Sequence, residues 1–121
     1  MKTNRPIIII DDDPVSIFLT REILNSLEIE MEVLAFEDAN RALHFLNQKG
    51  DNYTILLDLN MPLMSGWEFV NSCVEQKLSP EVYILSSSVN PRDIERIDQY
   101  DFVRSFLSKP LNPEMLEIEQ S

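Results

Sequence analysis

At 121 residues the chain has room for one domain, residues 1–121, burying roughly two-thirds of the surface its unfolded form exposes. Its composition, 44% hydrophobic and 26% charged, is that of an ordinary globular protein, and a formal charge of −11 argues against direct contact with nucleic acid or anionic lipid. Cys73 is the single cysteine, which excludes an internal disulfide and a multi-thiolate metal site and points to a reducing, cytoplasmic setting. The four isoleucines near the N-terminus are far too few for a signal or membrane segment.

Ile7 to Ile10 is a continuous β-branched run, as expected of a strand covered on both faces. Asp11, Asp12 and Asp13 follow, and Pro14 suits the first turn of a helix of about 14 residues carrying Val15, Phe18, Leu19, Ile23, Leu24 and Leu27 on its apolar side. Met31 to Phe36 reads as a second strand and Asp38 as the cap of a helix through Ala39, Ala42, Leu43 and Leu46 that stops at Gly50. Tyr53 to Leu59 is a third strand containing Asp58, followed by a loop from Asn60 to Gly66 and a helix bearing Trp67, Phe69, Val70, Cys73 and Val74. Val82 to Leu85 is a fourth strand leading into Ser86, Ser87 and Ser88. Pro91 opens a helix with Ile94 and Ile97 on one face. Phe102, Val103, Phe106 and Leu107 predict a fifth strand, and Asn112-Pro113 a short final helix through Met115, Leu116 and Ile118. Five alternations of strand and helix predict an α/β fold, a parallel sheet with helices on both faces. With two glycines in the chain, a glycine-rich nucleotide loop is not expected.

Asp11 to Asp13, Asp58, Ser86 and Lys109 all follow strands. In an open α/β sheet such positions share the edge where ligands bind. Clustered carboxylates repel one another unless a hard cation neutralises them, and Mg²⁺ is the expected cofactor: Asp12 and Asp58 as direct ligands, Asp11 through water, and Asn60 through its backbone carbonyl. A carboxylate can accept a phosphoryl group as a nucleophile, with Lys109 as positive charge and Ser86 as donor to its oxygens. Each feature alone has a plainer reading: capping for the aspartates, a turn for Asp58, a polar loop for the serines. Their convergence on one edge favours chemistry. His44 is expected on a helix surface, Cys73 as a small core residue, and Met61 and Met64 as packing residues.

The runs IIIIDDDP, ILLDLNMPLMSG, VYILSSS and FLSKP together resemble the CheY-like receiver domains of bacterial response regulators across essentially the whole chain. The resemblance implies a doubly wound (βα)5, flavodoxin-like fold with strand order 2-1-3-4-5. It implies Asp58 as phosphoacceptor, Asp11, Asp12, Asp58 and the Asn60 carbonyl as the Mg²⁺ site, and Ser86, Ser87 and Lys109 around the phosphoryl group. Ser86 and Phe106 match the switch pair, and Pro110 follows a peptide bond that is commonly cis in the family. Ser86 stands where threonine is commoner, Ser65 where aspartate is common, and Phe102-Val103 where Gly-Ala is usual; the last of these bears on the partner-binding face.

The expected function is phosphotransfer from a sensor histidine kinase or histidine phosphotransfer protein to Asp58, followed by hydrolysis. The phosphoryl group would bias a partner or dimer surface built from the fourth helix, fifth strand and fifth helix. The chain is then a signalling phosphoacceptor rather than an enzyme acting on a separate substrate, and a free-standing carrier rather than a DNA-binding regulator. Two alternatives are a pseudo-receiver that binds partners without phosphorylation and a Mg²⁺-dependent phosphatase resembling the haloacid dehalogenases, in which Asp11 would be the nucleophile.

Overall fold

The computed structural model describes residues 2–27, 30–87, 90–112 and 117–118. Strands β1 (Ile7–Ile10), β2 (Val33–Phe36), β3 (Thr54–Leu57), β4 (Glu81–Ser86) and β5 (Val103–Ser108) alternate with helices α1 (Pro14–Ser26), α2 (Ala39–Lys49), α3 (Gly66–Glu75) and α4 (Pro91–Ile97). All five strands pair in parallel in the order β2-β1-β3-β4-β5, the flavodoxin-like arrangement. No helix among the described residues is long and apolar enough to cross a membrane.

The runs Ile7–Ile10, 55–57 and 82–85 of the central strands are apolar because each side chain in them enters one of two cores. Ile8, Ile10, Ile55, Leu57, Val82 and Ile84 face α2, α3 and α4; Ile7, Ile9, Leu56, Tyr83 and Leu85 face α1 and Leu111. Period-two alternation therefore separates two buried sets rather than a buried and a wet one, which accounts for the absence of polar interruption.

Each helix start has a side-chain cap. Asp13 accepts from Val15 N–H at 3.0 Å, Asp38 from Asn40 N–H at 2.8 Å, Ser65 from Glu68 N–H at 3.2 Å and Asn90 from Asp93 N–H at 3.0 Å. Gly50 ends α2 with φ of 92°, the left-handed side that glycine adopts without a Cβ penalty.

Three expectations need correction. Of the apolar positions whose spacing marks α1, Val15, Phe18 and Leu19 are 63%, 58% and 51% exposed; Ile17, Thr20 and Leu24 are the buried residues of the helix. The apolar content of α1 exceeds one stripe, and the sheet can cover only one side of it. On α4, Ile97 is buried but Ile94 is exposed, because a helix of seven residues lays a single turn against the sheet. The final helix is not formed at Glu117–Ile118, which is extended and pairs in parallel with Lys2–Thr3; residues 113–116 lie outside the described residues. A short apolar run carries no decisive period, and an available strand partner settles its backbone.

The β4 to β5 ladder contains a register shift. Val82 pairs with Val103 but Tyr83 with Ser105, so Arg104 is the extra residue. Val103 and Phe106, three apart, would lie on opposite faces of a regular strand; the inserted residue puts both against the α2–α4 core, while Leu107 enters the other.

Candidate functional site

The ladder continues one residue beyond the strands at their C-terminal edge. Asp11 N–H donates to Phe36 O at 3.1 Å, Asp58 N–H to Ile10 O at 3.0 Å and Lys109 N–H to Ser86 O at 3.0 Å. The backbones of three charged residues are thereby fixed by the sheet rather than by loops.

Their side chains converge. Asp11 and Asp58 are only 2% and 8% exposed, and Asp11, Asp12 and Asp58 each offer a carboxylate oxygen within 4.8 Å of the others. Lys109 Nζ lies 2.7 Å from Asp11 Oδ2 and 3.6 Å from Asp58 Oδ2. Burial pushes Asp11 upward, but hydrogen bonds from Lys109, Ser16 and the Asp13 N–H, with the lysine charge, outweigh it and hold Asp11 below the usual carboxylate range. Asp58 is raised, chiefly by burial and further by the neighbouring Asp11, against the Asn60 N–H and Lys109, which pull the other way. Two carboxylates one lysine apart are thus divided electrostatically: Asp11 holds the ammonium, and Asp58 remains under-compensated.

The aspartate triplet divides its labour. Asp11 points inward, Asp12 is half-buried, and Asp13 is exposed at the start of α1, where its carboxylate serves as the cap. Asp13 N–H also donates to Asp11 Oδ1 at 3.0 Å, and Asn60 N–H to Asp58 Oδ1 at 3.2 Å, so both buried carboxylates are oriented by the amide two residues on. Ser86 is buried at the end of β4. Ser87 is exposed and lines, with Lys109, Pro110 and Val15, a cavity of about 470 Å³. The Lys109-Pro110 bond is cis. Phe106 lies on β5 opposite Ile84, half-buried against the α2–α4 core. Ser88 is outside the described residues. His44 is exposed and Met61 buried, as expected; burial raises the Cys73 thiol to about 12, with Asp51 adding to the effect, so it stays a neutral core group.

Two features escaped the sequence reading. Gly66 begins α3 instead of ending the loop, and a Cβ there would sit 2.8 Å from Asp58 O and Leu59 Cα. That close approach ties α3 to the Asp58 loop, and a glycine in a chain with two was the available signal. The exposed Val15, Phe18 and Leu19 form an apolar face on α1, with Val15 and Leu19 bordering the cavity beside Lys109.

The response regulator receiver domain profile matches residues 7–119. No curated protein matches the sequence. Among solved structures, a two-component response regulator from Cytophaga hutchinsonii is 29% identical with a TM-score of 0.80, over 94% of this chain and 90% of that one. A response regulator receiver protein from Dyadobacter fermentans is 26% identical with a TM-score of 0.75, over 95% and 91%. The chemotaxis protein CheY4 of Vibrio cholerae is 25% identical with a TM-score of 0.74, over 94% and 91%. The family match displaces the phosphatase alternative. Strand order, the acidic pocket at the sheet edge and the match over residues 7–119 agree, and the chain belongs to the response regulator receiver domain family.

Proposed function

We propose that Asp58 accepts a phosphoryl group from a phosphohistidine on a sensor kinase or phosphotransfer protein, and that residues 1–121 act as one such receiver unit in the cytoplasm. The observation that carries this reading is the unequal pairing of the two buried carboxylates, Asp11 taken up by Lys109 at 2.7 Å and Asp58 left with its raised pKa at 3.6 Å. A nucleophile needs a free lone pair and a cation close enough to follow the charge.

In the transfer step an Asp58 carboxylate oxygen attacks phosphorus. A P–O bond forms as the P–N bond to the donor ring breaks; the ring, protonated at its other nitrogen, keeps the electron pair and leaves as neutral imidazole. Water later attacks the acyl phosphate, releasing inorganic phosphate and restoring the carboxylate. Lys109 can follow the phosphoryl oxygens while remaining near Asp11, and the Ser86 hydroxyl supplies a donor, with Ser87 leaving the approach open.

Three carboxylates with oxygens within 4.8 Å of one another suit a hard divalent cation, and the residues fit Mg²⁺: Asp12 and Asp58 directly, Asp11 through water, and Asn60 through its carbonyl. When bound, Mg²⁺ supplies charge neutralisation for the phosphoryl oxygens. The exposed Val15, Phe18 and Leu19 beside the pocket offer an apolar footing for the donor protein. Ser86 and Phe106 on adjoining strands are the switch pair, and the responsive surface involves α4 and β5.

Incubation with acetyl phosphate and Mg²⁺, followed by mass-spectrometric mapping, should place one acyl phosphate on Asp58 and none in Asp58→Asn. Label on Asp11 would sink the reading. Absence of label with both acetyl phosphate and an active kinase would make the chain a pseudo-receiver.

A further inference from the structure

The indole of Trp67 is buried where α3 meets α4. Its Nε1–H donates to Asp93 Oδ1 at 2.9 Å, and the Arg96 guanidinium carbon lies 5.0 Å from the ring centroid. Tyr100 stacks on the ring with centroids 5.9 Å apart and planes 19° from parallel, and its hydroxyl donates to the Asn71 side chain on α3. Two residues of α4 and one just after it therefore close on α3, mostly on one side chain.

α4 needs such a tie. Seven residues cannot sustain a helix alone, and Ile97 is its buried side chain. The other end of the tie reaches the pocket. Gly66, next to Trp67, lies against the Asp58 carbonyl with no space for a Cβ, and its N–H donates to Leu59 O at 3.0 Å. Displacement of the Asp58 backbone must move the start of α3, and Trp67 carries that movement to Asp93 and Arg96.

We propose that Trp67 is a coupling residue through which the state of the Asp58 carboxylate sets the placement and stability of α4. The inference rests on the phosphoacceptor reading of Asp58.

The test is amide hydrogen exchange across residues 92–97 in the full chain, as wild type, Trp67→Phe, Asp93→Ala and the double variant, each with and without Mg²⁺ and beryllofluoride. Without ligand, each single variant should exchange at least fivefold faster in α4 and the double no faster than the quicker single, since both remove the same bond. Asp93→Asn, which keeps an acceptor for the indole N–H, should behave as wild type. With beryllofluoride, the wild-type change in α4 should fall by at least half in both single variants while amides 58–60 still respond. Additive effects in the cycle, or a full wild-type response in the variants, would overturn the coupling. If amides 58–60 of the wild type do not respond to beryllofluoride, the phosphoacceptor reading is what fails, and the coupling falls with it.

Discussion

Lys109 Nζ lies 2.7 Å from Asp11 Oδ2, joining residues 98 positions apart in sequence across the C-terminal edge of the sheet. The ammonium compensates Asp11 first and Asp58 second. Lys109→Met, which keeps the alkyl stem, should destabilise the metal-free protein by about 2 kcal/mol; this is below the cost for a fully buried pair because Lys109 keeps partial solvent access. Urea unfolding at neutral pH measures it, and added Mg²⁺ should recover part of the loss. No destabilisation would mean that the carboxylates are neutralised by other means.

Asp58→Asn should do the opposite. A carboxyl whose folded-state pKa is raised contributes its full stability below the ordinary value of 3.8 and loses it as pH rises through the raised value. Ionised Asp58 is therefore a cost at neutral pH without metal, and removing its charge should stabilise the apo protein by about 1 kcal/mol. The gain should grow between acid and neutral pH in denaturation curves. Asp11 runs the other way: its lowered value contributes stability above 3.8 that is lost as pH falls through the folded value.

Mg²⁺ at ten times its dissociation constant should stabilise the wild type by about 1.4 kcal/mol, the mass-action limit for one site. Asp12→Asn should abolish most of this shift in thermal unfolding, since it removes one of the two carboxylates proposed to bind the ion directly. An unchanged shift in that variant would move the ion elsewhere.

Gly66→Ala introduces a methyl group 2.8 Å from the Asp58 carbonyl and Leu59 Cα. Backbone cannot yield as a flexible side chain can, so the change should cost about 2 kcal/mol in chemical denaturation. It should also slow acyl phosphate formation, because the displaced carbonyl belongs to Asp58, the proposed phosphoacceptor.

Phe18→Ser tests the apolar face of α1. Phe18 is 58% exposed, so the fold should be stable within about 0.5 kcal/mol. Labelling by acetyl phosphate should be unchanged, whereas transfer from a phosphohistidine protein should slow about tenfold, as for loss of an interface anchor. Equal slowing with both donors would place the defect in the pocket instead.

The elements that were legible in sequence are those whose signal is local. Ile7 to Ile10, four β-branched residues closed by aspartates and a proline, suited a doubly covered strand; Pro14 and Asp38 marked helix starts because capping involves neighbours in the chain. The pocket was legible for the same reason: Asp11, Asp58, Ser86 and Lys109 occur at strand ends, and a parallel sheet brings its strand ends to one edge.

What only the tertiary structure decided depends on competition between distant surfaces. Val15, Phe18 and Leu19 fit the helical period as well as Ile17 and Leu24, and the packing of α1 on the sheet chose which set to bury. Phe106 reached the α2–α4 core through the extra residue at Arg104, which no periodicity records. Glu117–Ile118 is extended because Lys2–Thr3 offers a parallel partner. The sequence placed Trp67 on the third helix, and its bond to Asp93 became visible once α3 and α4 were adjacent. Covalent spacing determines which groups each strand delivers to the edge, but the distances of 2.7 and 3.6 Å that divide Asp11 from Asp58 arise from side chains contributed by three strands at once.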